Sequence, residues 1–180
     1  MPVDKHDSKN IKDANQTLQD AWPIILAEFE KASSGTTLNL TCTHRTPEKQ
    51  FELFKLGRNN LGNTDRPKWS ITDLSKVVTH CDGTEKTSKH NLYPALAIDV
   101  VVIDLYTKKA IWEPTFYMPL KEICKKLKLV WGGNWVTIKD YPHIECGGDS
   151  HGASSSKNMS GFSRPDIKVD DNFYNQWNMM

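Results

Sequence analysis

The chain has 180 residues, of which 38% are hydrophobic, and 23 basic against 22 acidic side chains give a formal net charge of +1. This length and hydrophobic content suffice for one compact soluble domain with a single real core. The near-neutral charge excludes a general electrostatic attraction to nucleic acid or to an anionic membrane, so recognition must depend on local groups.

The first predicted element is an amphipathic helix over Thr17–Lys31. Its apolar residues recur at intervals of four, three and four: Leu18, Trp22, Ile25 and Phe29. This spacing is typical of a helix that packs one face on a core. After Ser33-Ser34-Gly35, the segment Thr37–Cys42 alternates β-prone residues and predicts a short strand.

A second helix is predicted to follow this strand. Thr46 can cap its N-terminus, and Pro47 suits the first helical position because its missing N–H would be unpaired there. Phe51 and Phe54 are expected to face inward. Arg45 lies at the strand-to-helix junction, where a cationic side chain either points into a cleft or is solvated at the surface. The residues alone leave both alternatives open.

The middle of the chain contains the strongest predicted strand, Leu96–Ile103, which is apolar on both faces as a central strand would be. A loop is predicted before it over Leu61–Ser70, followed by a short strand over Lys76–Thr79. Asp99 is an anomaly in the central strand. An ionised carboxylate there costs several kcal/mol unless it is paired, hydrogen-bonded or bound to metal. The other reading is that Asp99 twists toward solvent or a nearby basic residue.

A third helix is predicted from four apolar residues with the same spacing: Phe116, Leu120, Ile123 and Leu127. The segment Trp131–Trp135 follows, with paired glycines that let the backbone turn tightly between two large aromatics. These tryptophans either line a cleft or belong to the core.

The last predicted strand, Pro142–Cys146, places His143 and Glu145 on one face because strands have a period of two. Glu145 either supports His143 through a hydrogen bond or is an ordinary surface acid. Beyond it the composition becomes rich in Gly and Ser. We therefore predict a globular domain over residues 1–146, and a flexible linker with an aromatic-containing C-terminal tail over residues 147–180.

The sequence combines two histidines, an acid inside an apolar strand and a further acid nearby. This combination predicts a hydrolytic zinc site. Zinc held by three protein ligands keeps an open position for water, and it lowers the pKa of that water to about 7. His90, Asp99 and His143 would be the ligands. Asp140, three residues before His143, is placed to take the water's proton and pass it to a leaving nitrogen.

A structural zinc site with thiolates is the competing interpretation, because Cys81 follows His80 directly and Cys146 follows His143 closely. Closed sites of that kind commonly use paired cysteines at short spacing, which this chain lacks. The four cysteines are therefore predicted to be reduced, without a disulfide framework. The polar first fifteen residues and the absence of a long apolar stretch predict synthesis in the cytoplasm without a signal peptide and no membrane insertion.

Four segments, in this order, resemble the M15 family of zinc peptidases, the group of D-Ala-D-Ala carboxypeptidases and phage L-alanoyl-D-glutamate endopeptidases. The segments are Thr43–Gln50 with Leu53 and Gly57-Arg58, Ser88–Asn91, Ala97–Asp99, and Trp131–Trp135 followed by Asp140-x-x-His143. The resemblance runs from about Thr17 to Glu145. It implies an α+β fold similar to the hedgehog/DD-peptidase fold, in which a small antiparallel sheet is packed with helices and carries the zinc site in an open groove.

The resemblance also implies a role for each matching residue. Zinc would bind His90, Asp99 and His143, with Asp140 as general base and Arg45 binding or polarising the carbonyl that becomes the oxyanion. The residues expected to orient or contact substrate are Ser88, Gln50, Trp131 and Trp135.

One departure from the family's common pattern is the spacing of the first two ligands. Eight residues separate His90 from Asp99, where the commoner pattern has six and includes a glycine. The aspartate at position 140, where many carboxypeptidases of the family have glutamate, favours the phage endopeptidase branch.

These inferences predict a zinc-dependent peptidoglycan hydrolase, an endolysin that cuts the stem peptide of bacterial peptidoglycan between L-Ala and D-Glu. Such a lysin would act as a monomer on the bacterial cell wall after holin-dependent release at host lysis. The alternatives are a D,D- or L,D-carboxypeptidase and a non-catalytic wall-binding or phage structural protein. The presence of Asp140 and Arg45 beside all three ligands argues against the last, because binding alone needs no base.

Overall fold

The computed structural model describes residues 7–63, 67–136 and 138–147. Its helices are α1 (Gln16–Ala32), α2 (Pro47–Lys55) and α3 (Pro119–Lys126). Its strands are β1 (Thr36–Cys42), β2 (Arg58–Asn60), β3 (Trp69–Ile71), β4 (Ala97–Asp104), β5 (Ala110–Ile111), β6 (Leu129–Trp131) and β7 (His143–Cys146). The predicted α+β class is confirmed. The predicted linker and tail lie outside the described residues, apart from Gly147.

The main sheet is antiparallel and has the order β1-β4-β7-β6, with β5 pairing on β4. Strands β2 and β3 form a separate hairpin. The central position of β4 gives Asp99 two cross-strand neighbours, Cys42 in β1 and His143 in β7. A bulge between Leu40 and Cys42 shifts the register of β1 beside this point.

The alternation of β4 divides the sheet into two faces. Ile98, Val100 and Val102 are fully buried in the core with residues of α1 and α3. Successive strand residues point to opposite faces, so Asp99 points away from these helices. The predicted stripe of α1 is confirmed, since all four of its residues are in this core: Leu18, Trp22, Ile25 and Phe29.

Three of the predicted elements were wrong in detail. The loop predicted over Leu61–Ser70 overlaps strand β3, which begins at Trp69. No strand forms over Lys76–Thr79, where a 3-10 turn that ends at Lys76 is followed by residues without regular secondary structure. The third helix begins only at Pro119, after a 3-10 turn. Because a 3-10 turn has three residues per turn, Phe116 falls off the buried face and is 40% exposed, whereas Tyr117 is fully buried.

Phe51 and Phe54 do face inward, but toward a different partner from the main core. Both ring systems pack on Trp69 of the β2–β3 hairpin, with centroids 5.5 and 6.2 Å away. Helix α2 and the hairpin therefore share a small cluster of their own. Within the described parts of the chain, no helix has the length and apolar character needed to cross a membrane.

Candidate active site

Three segments meet on the face of the sheet opposite the helices. The pairing of β4 with β7 sets Asp99 opposite His143, and the 3-10 turn Lys89–Asn91 brings His90 beside them. His90 Nε2 and His143 Nδ1 lie 3.1 and 3.0 Å from Asp99 Oδ1, and 3.3 Å from each other. The structure therefore brings together all three predicted ligands.

The spacing of these three atoms fits zinc. A tetrahedral ion with bonds of about 2.0–2.1 Å holds its ligand atoms about 3.3 Å apart. Two imidazole nitrogens and one carboxylate oxygen are also the donor set of many catalytic zinc sites, which leave a position for water. The residues present thus match the predicted metal in chemistry and in separation.

Contacts behind each imidazole fix the orientation of its ring. His90 Nδ1 lies 2.7 Å from the Thr43 carbonyl oxygen, and His143 Nε2 lies 3.0 Å from Glu145 Oε2. Both oxygens can only accept, so each ring donates an N–H backward, and its other nitrogen, which faces Asp99, can bind a metal once it is deprotonated. His143 therefore donates to Glu145, which is the first of the two alternatives that the sequence left open for this acid.

The turn that carries His90 is fastened at both ends. Ser88 Oγ accepts from the His90 N–H at 3.3 Å, and Asn91 Oδ1 accepts from the Ser88 N–H at 2.8 Å. Asn91 Nδ2 also donates to the Arg45 carbonyl at 2.9 Å. Sequence reasoning missed Asn91, although a Ser followed three residues later by a side-chain acceptor resembles the capping-box pattern.

The longer spacing between His90 and Asp99 does not separate these ligands. The additional chain packs against the segment before α1, where the Ala95 N–H donates to Asp13 and the Asn15 N–H donates to Ala95, both at 2.8 Å. The additional residues between His90 and Asp99 are therefore accommodated away from the ligand atoms.

Arg45 points into the site rather than to solvent, and its side chain is 15% exposed. Its Nη2 donates to Asp99 Oδ2 and its Nη1 donates to Gln50 Oε1, both at 2.9 Å. Gln50 is fully buried and donates to Thr79 Oγ1 at 3.2 Å and the Cys81 carbonyl at 3.0 Å. Gln50, predicted to contact substrate, thus lies behind Arg45 and holds it.

Asp140 lies beside the ligands, with a carboxylate oxygen within 4.8 Å of ligand atoms of Asp99 and His143. Its loop is closed by two backbone bonds, from the Asp140 N–H to Gly132 and from the His143 N–H to Asp140. Burial, and then the charge of Asp99, raise the pKa of Asp140 above its ordinary value. A carboxylate with a raised pKa is a better proton acceptor near neutral pH.

Comparisons with known proteins agree with this geometry. An M15 peptidase family model, described as D-alanyl-D-alanine carboxypeptidase, matches residues 82–146. The peptidoglycan L-alanyl-D-glutamate endopeptidase CwlK of Bacillus subtilis (strain 168) is 32% identical over 140 residues, which cover 70% of this chain and 73% of CwlK. This chain belongs to the M15 family of peptidases. The resemblance inferred from its motifs is therefore confirmed.

The solved structure of the L-Ala D-Glu endopeptidase ChiX of Serratia marcescens is also similar to this M15 peptidase. The match has a TM-score of 0.49 and 20% identity, and it covers 77% of this chain and 84% of that chain.

The two tryptophans of this M15 peptidase have different environments. Trp131 is 2% exposed, belongs to the core and donates from Nε1 to the Tyr141 carbonyl at 2.8 Å. Trp135 is half-buried, and its ring centroid lies 4.9 Å from that of His143. Trp131, which was expected to contact substrate, is thus a core tryptophan, the alternative that the sequence left open, whereas Trp135 lies beside the site.

Charge coupling is strong among the three candidate ligands of this M15 peptidase. Burial alone would lower the pKa of His90, but the carboxylate of Asp99 outweighs it and raises that pKa to about 10. The same attraction holds the pKa of Asp99 well below its usual range, against the effect of burial. Cys42 Sγ lies 3.7 Å from His90 Nδ1, the nitrogen that faces away from Asp99. Cys42 is therefore behind the ligand ring.

Proposed function

We propose that this M15 peptidase is a zinc-dependent peptidoglycan hydrolase that cleaves the amide bond between L-Ala and D-Glu in the stem peptide. The observation that carries the proposal is the convergence of His90, Asp99 and His143 beside a half-buried Asp140. The choice of bond is supported by the identity to CwlK, whose name states that activity.

Each residue near the ligands has a chemical role in this proposal. Zinc at the site would act as a Lewis acid and lower the pKa of a water molecule to about 7. Asp140 would accept the proton of that water and deliver it to the leaving nitrogen. Arg45 has five N–H donors, so the guanidinium that holds Asp99 can also donate to the scissile carbonyl oxygen as charge develops on it. Trp135 would line the substrate path beside His143.

A second candidate function is a D,D- or L,D-carboxypeptidase that removes the end of the stem. The description of the matching family model favours it. Such an enzyme needs a group that holds a free carboxylate, whereas an endopeptidase must accept chain on both sides of the scissile bond.

The deciding experiment is mass spectrometry of fragments released from purified peptidoglycan by the zinc-loaded protein, with a chelated sample alongside. Zinc-dependent release of fragments that begin with D-Glu is the expected result. Loss of only a terminal D-Ala would move the protein to the carboxypeptidases. No release from several wall types would overturn the proposal in favour of a non-catalytic wall-binding protein.

Two variants test the roles separately. Asp140→Ala is expected to retain zinc and lose turnover, because a general base contributes typically 10²–10⁴-fold. His143→Ala is expected to lose both zinc and turnover. Asp20→Ala, an exposed acid of α1, is the matched control and should leave both unchanged. Full activity of Asp140→Ala would remove it as the base.

The biological setting is a separate proposal, namely that the protein is a phage endolysin that reaches the wall from the cytoplasm at host lysis. Expression in a bacterial host with and without a co-expressed holin tests it. Lysis only with the holin supports the proposal, and equal lysis without the holin contradicts it.

A further inference from the structure

A chain of contacts runs behind His143 from strand β7 to the turn that carries His90. His143 Nε2 donates to Glu145 Oε2 at 3.0 Å, and Lys89 Nζ lies 3.0 Å from Glu145 Oε1. The same Lys89 Nζ donates to the Cys146 carbonyl at 2.7 Å. Both carboxylate oxygens of Glu145 are therefore used, one toward a candidate ligand and one toward an ammonium.

The pair formed by Lys89 and Glu145 differs from an ordinary surface ion pair. The two side chains are only 12% and 17% exposed, whereas a fully exposed pair is screened by water and worth little. Removing one partner of a pair shielded from water leaves an uncompensated charge. Glu145 without Lys89 would then be drawn toward water and away from His143.

Lys89 is also well placed to join the segments that carry the two histidines. It precedes His90 directly, and its ammonium reaches the strand that begins at His143. The Leu96 N–H donates to the Lys89 carbonyl at 3.0 Å, so the backbone of the turn is fixed as well. We infer that Lys89 is a positioning residue for the metal centre, which fixes Glu145 and through it orients His143. This inference rests on the proposed zinc site.

The test is zinc affinity, measured by competition with a chelator of known affinity. Lys89→Met is expected to weaken zinc binding about 10-fold, the lower end of the range for groups that orient a metal ligand. Lys89→Arg, which keeps the charge, should stay within about threefold of wild type. The matched control is Lys86→Met, an exposed lysine in the preceding loop, which should leave the affinity unchanged.

A double variant distinguishes a positioning role of Lys89 from a general structural effect. If Lys89 acts through Glu145, its effect on zinc affinity should disappear once Glu145 is replaced. Glu145→Gln should weaken zinc binding by about 10–100-fold, and adding Lys89→Met to it should change the affinity by less than about threefold. An equal loss in both backgrounds, or wild-type affinity in Lys89→Met, would overturn the inference. Urea unfolding of each metal-free variant reports folding, and Lys89→Gln replaces Lys89→Met if the latter does not fold. Absence of zinc binding by the wild type would instead overturn the proposed function.

Discussion

Gly132 is the position at which one added methyl group should damage the site most directly. A Cβ there would lie 2.4 Å from the Asp140 carbonyl oxygen and 3.0 Å from the Cβ of His143. Ordinary contact begins at 3.4 Å, so the loop must move by about 1 Å, a displacement that can cost about 100-fold in rate. Gly132→Ala should therefore reduce kcat/KM about 100-fold, equivalent to about 2.7 kcal/mol.

Two other glycines provide matched controls for the release assay on purified peptidoglycan. A Cβ on Gly147 would meet nothing closer than 3.4 Å, so Gly147→Ala should keep full activity. Gly35 has a φ of +83° with open space around it, so Gly35→Ala should lose about 1 kcal/mol of stability in urea unfolding and keep its activity. Activity of Gly132→Ala above about a third of wild type would refute the reasoning that the loop position limits catalysis.

Two further predictions concern stability and pH. Tyr117→Phe should cost about 1–2 kcal/mol in urea unfolding, because the fully buried hydroxyl donates to the Ile111 carbonyl at 3.1 Å; Tyr106→Phe, 94% exposed, should cost less than about 0.5 kcal/mol. His90 has a raised pKa in the metal-free fold, so its stabilising contribution is present below about pH 6.5 and is lost as the pH rises through about 10. Zinc must displace that proton, so zinc binding should release at least about one proton at pH 7.5 and tighten with rising pH. Calorimetry in buffers of different ionisation enthalpy measures the release, and a pH-independent affinity would contradict it.

The candidate ligands could be predicted from the sequence because they form a recognisable combination, in which Asp99 and His143 occupy informative positions in their strands. Asp99 interrupts an apolar strand, and an acid in that place needs a partner. The period of two placed His143 and Glu145 on one face, and the structure shows them joined by a hydrogen bond. Predictions of this kind depend on a few consecutive residues, whose geometry is fixed by the strand itself.

The contact that Lys89 makes behind the site could not be predicted, because its partner is distant in the chain. Lys89 and Glu145 are 56 residues apart, and nothing in either segment indicates that they meet. The two tryptophans show the same limit. Trp131 and Trp135 flank one turn, and only the packing of the sheet decides that the first is buried and the second lies beside His143.

The arrangement of the sheet explains why strand register controls the chemistry. Helices cover one face of the sheet, where Ile98 and Ile144 are buried. Asp99 and His143 lie on the other face and are paired with each other across β4 and β7. A slip of one residue in β7 would exchange the two faces and put Ile144 where His143 should be. Backbone hydrogen bonds from the Asp140 N–H to Gly132 and from the His143 N–H to Asp140 lie just before β7 and support this register. A side chain at position 132 would therefore displace both Asp140, the proposed base, and His143, a candidate ligand.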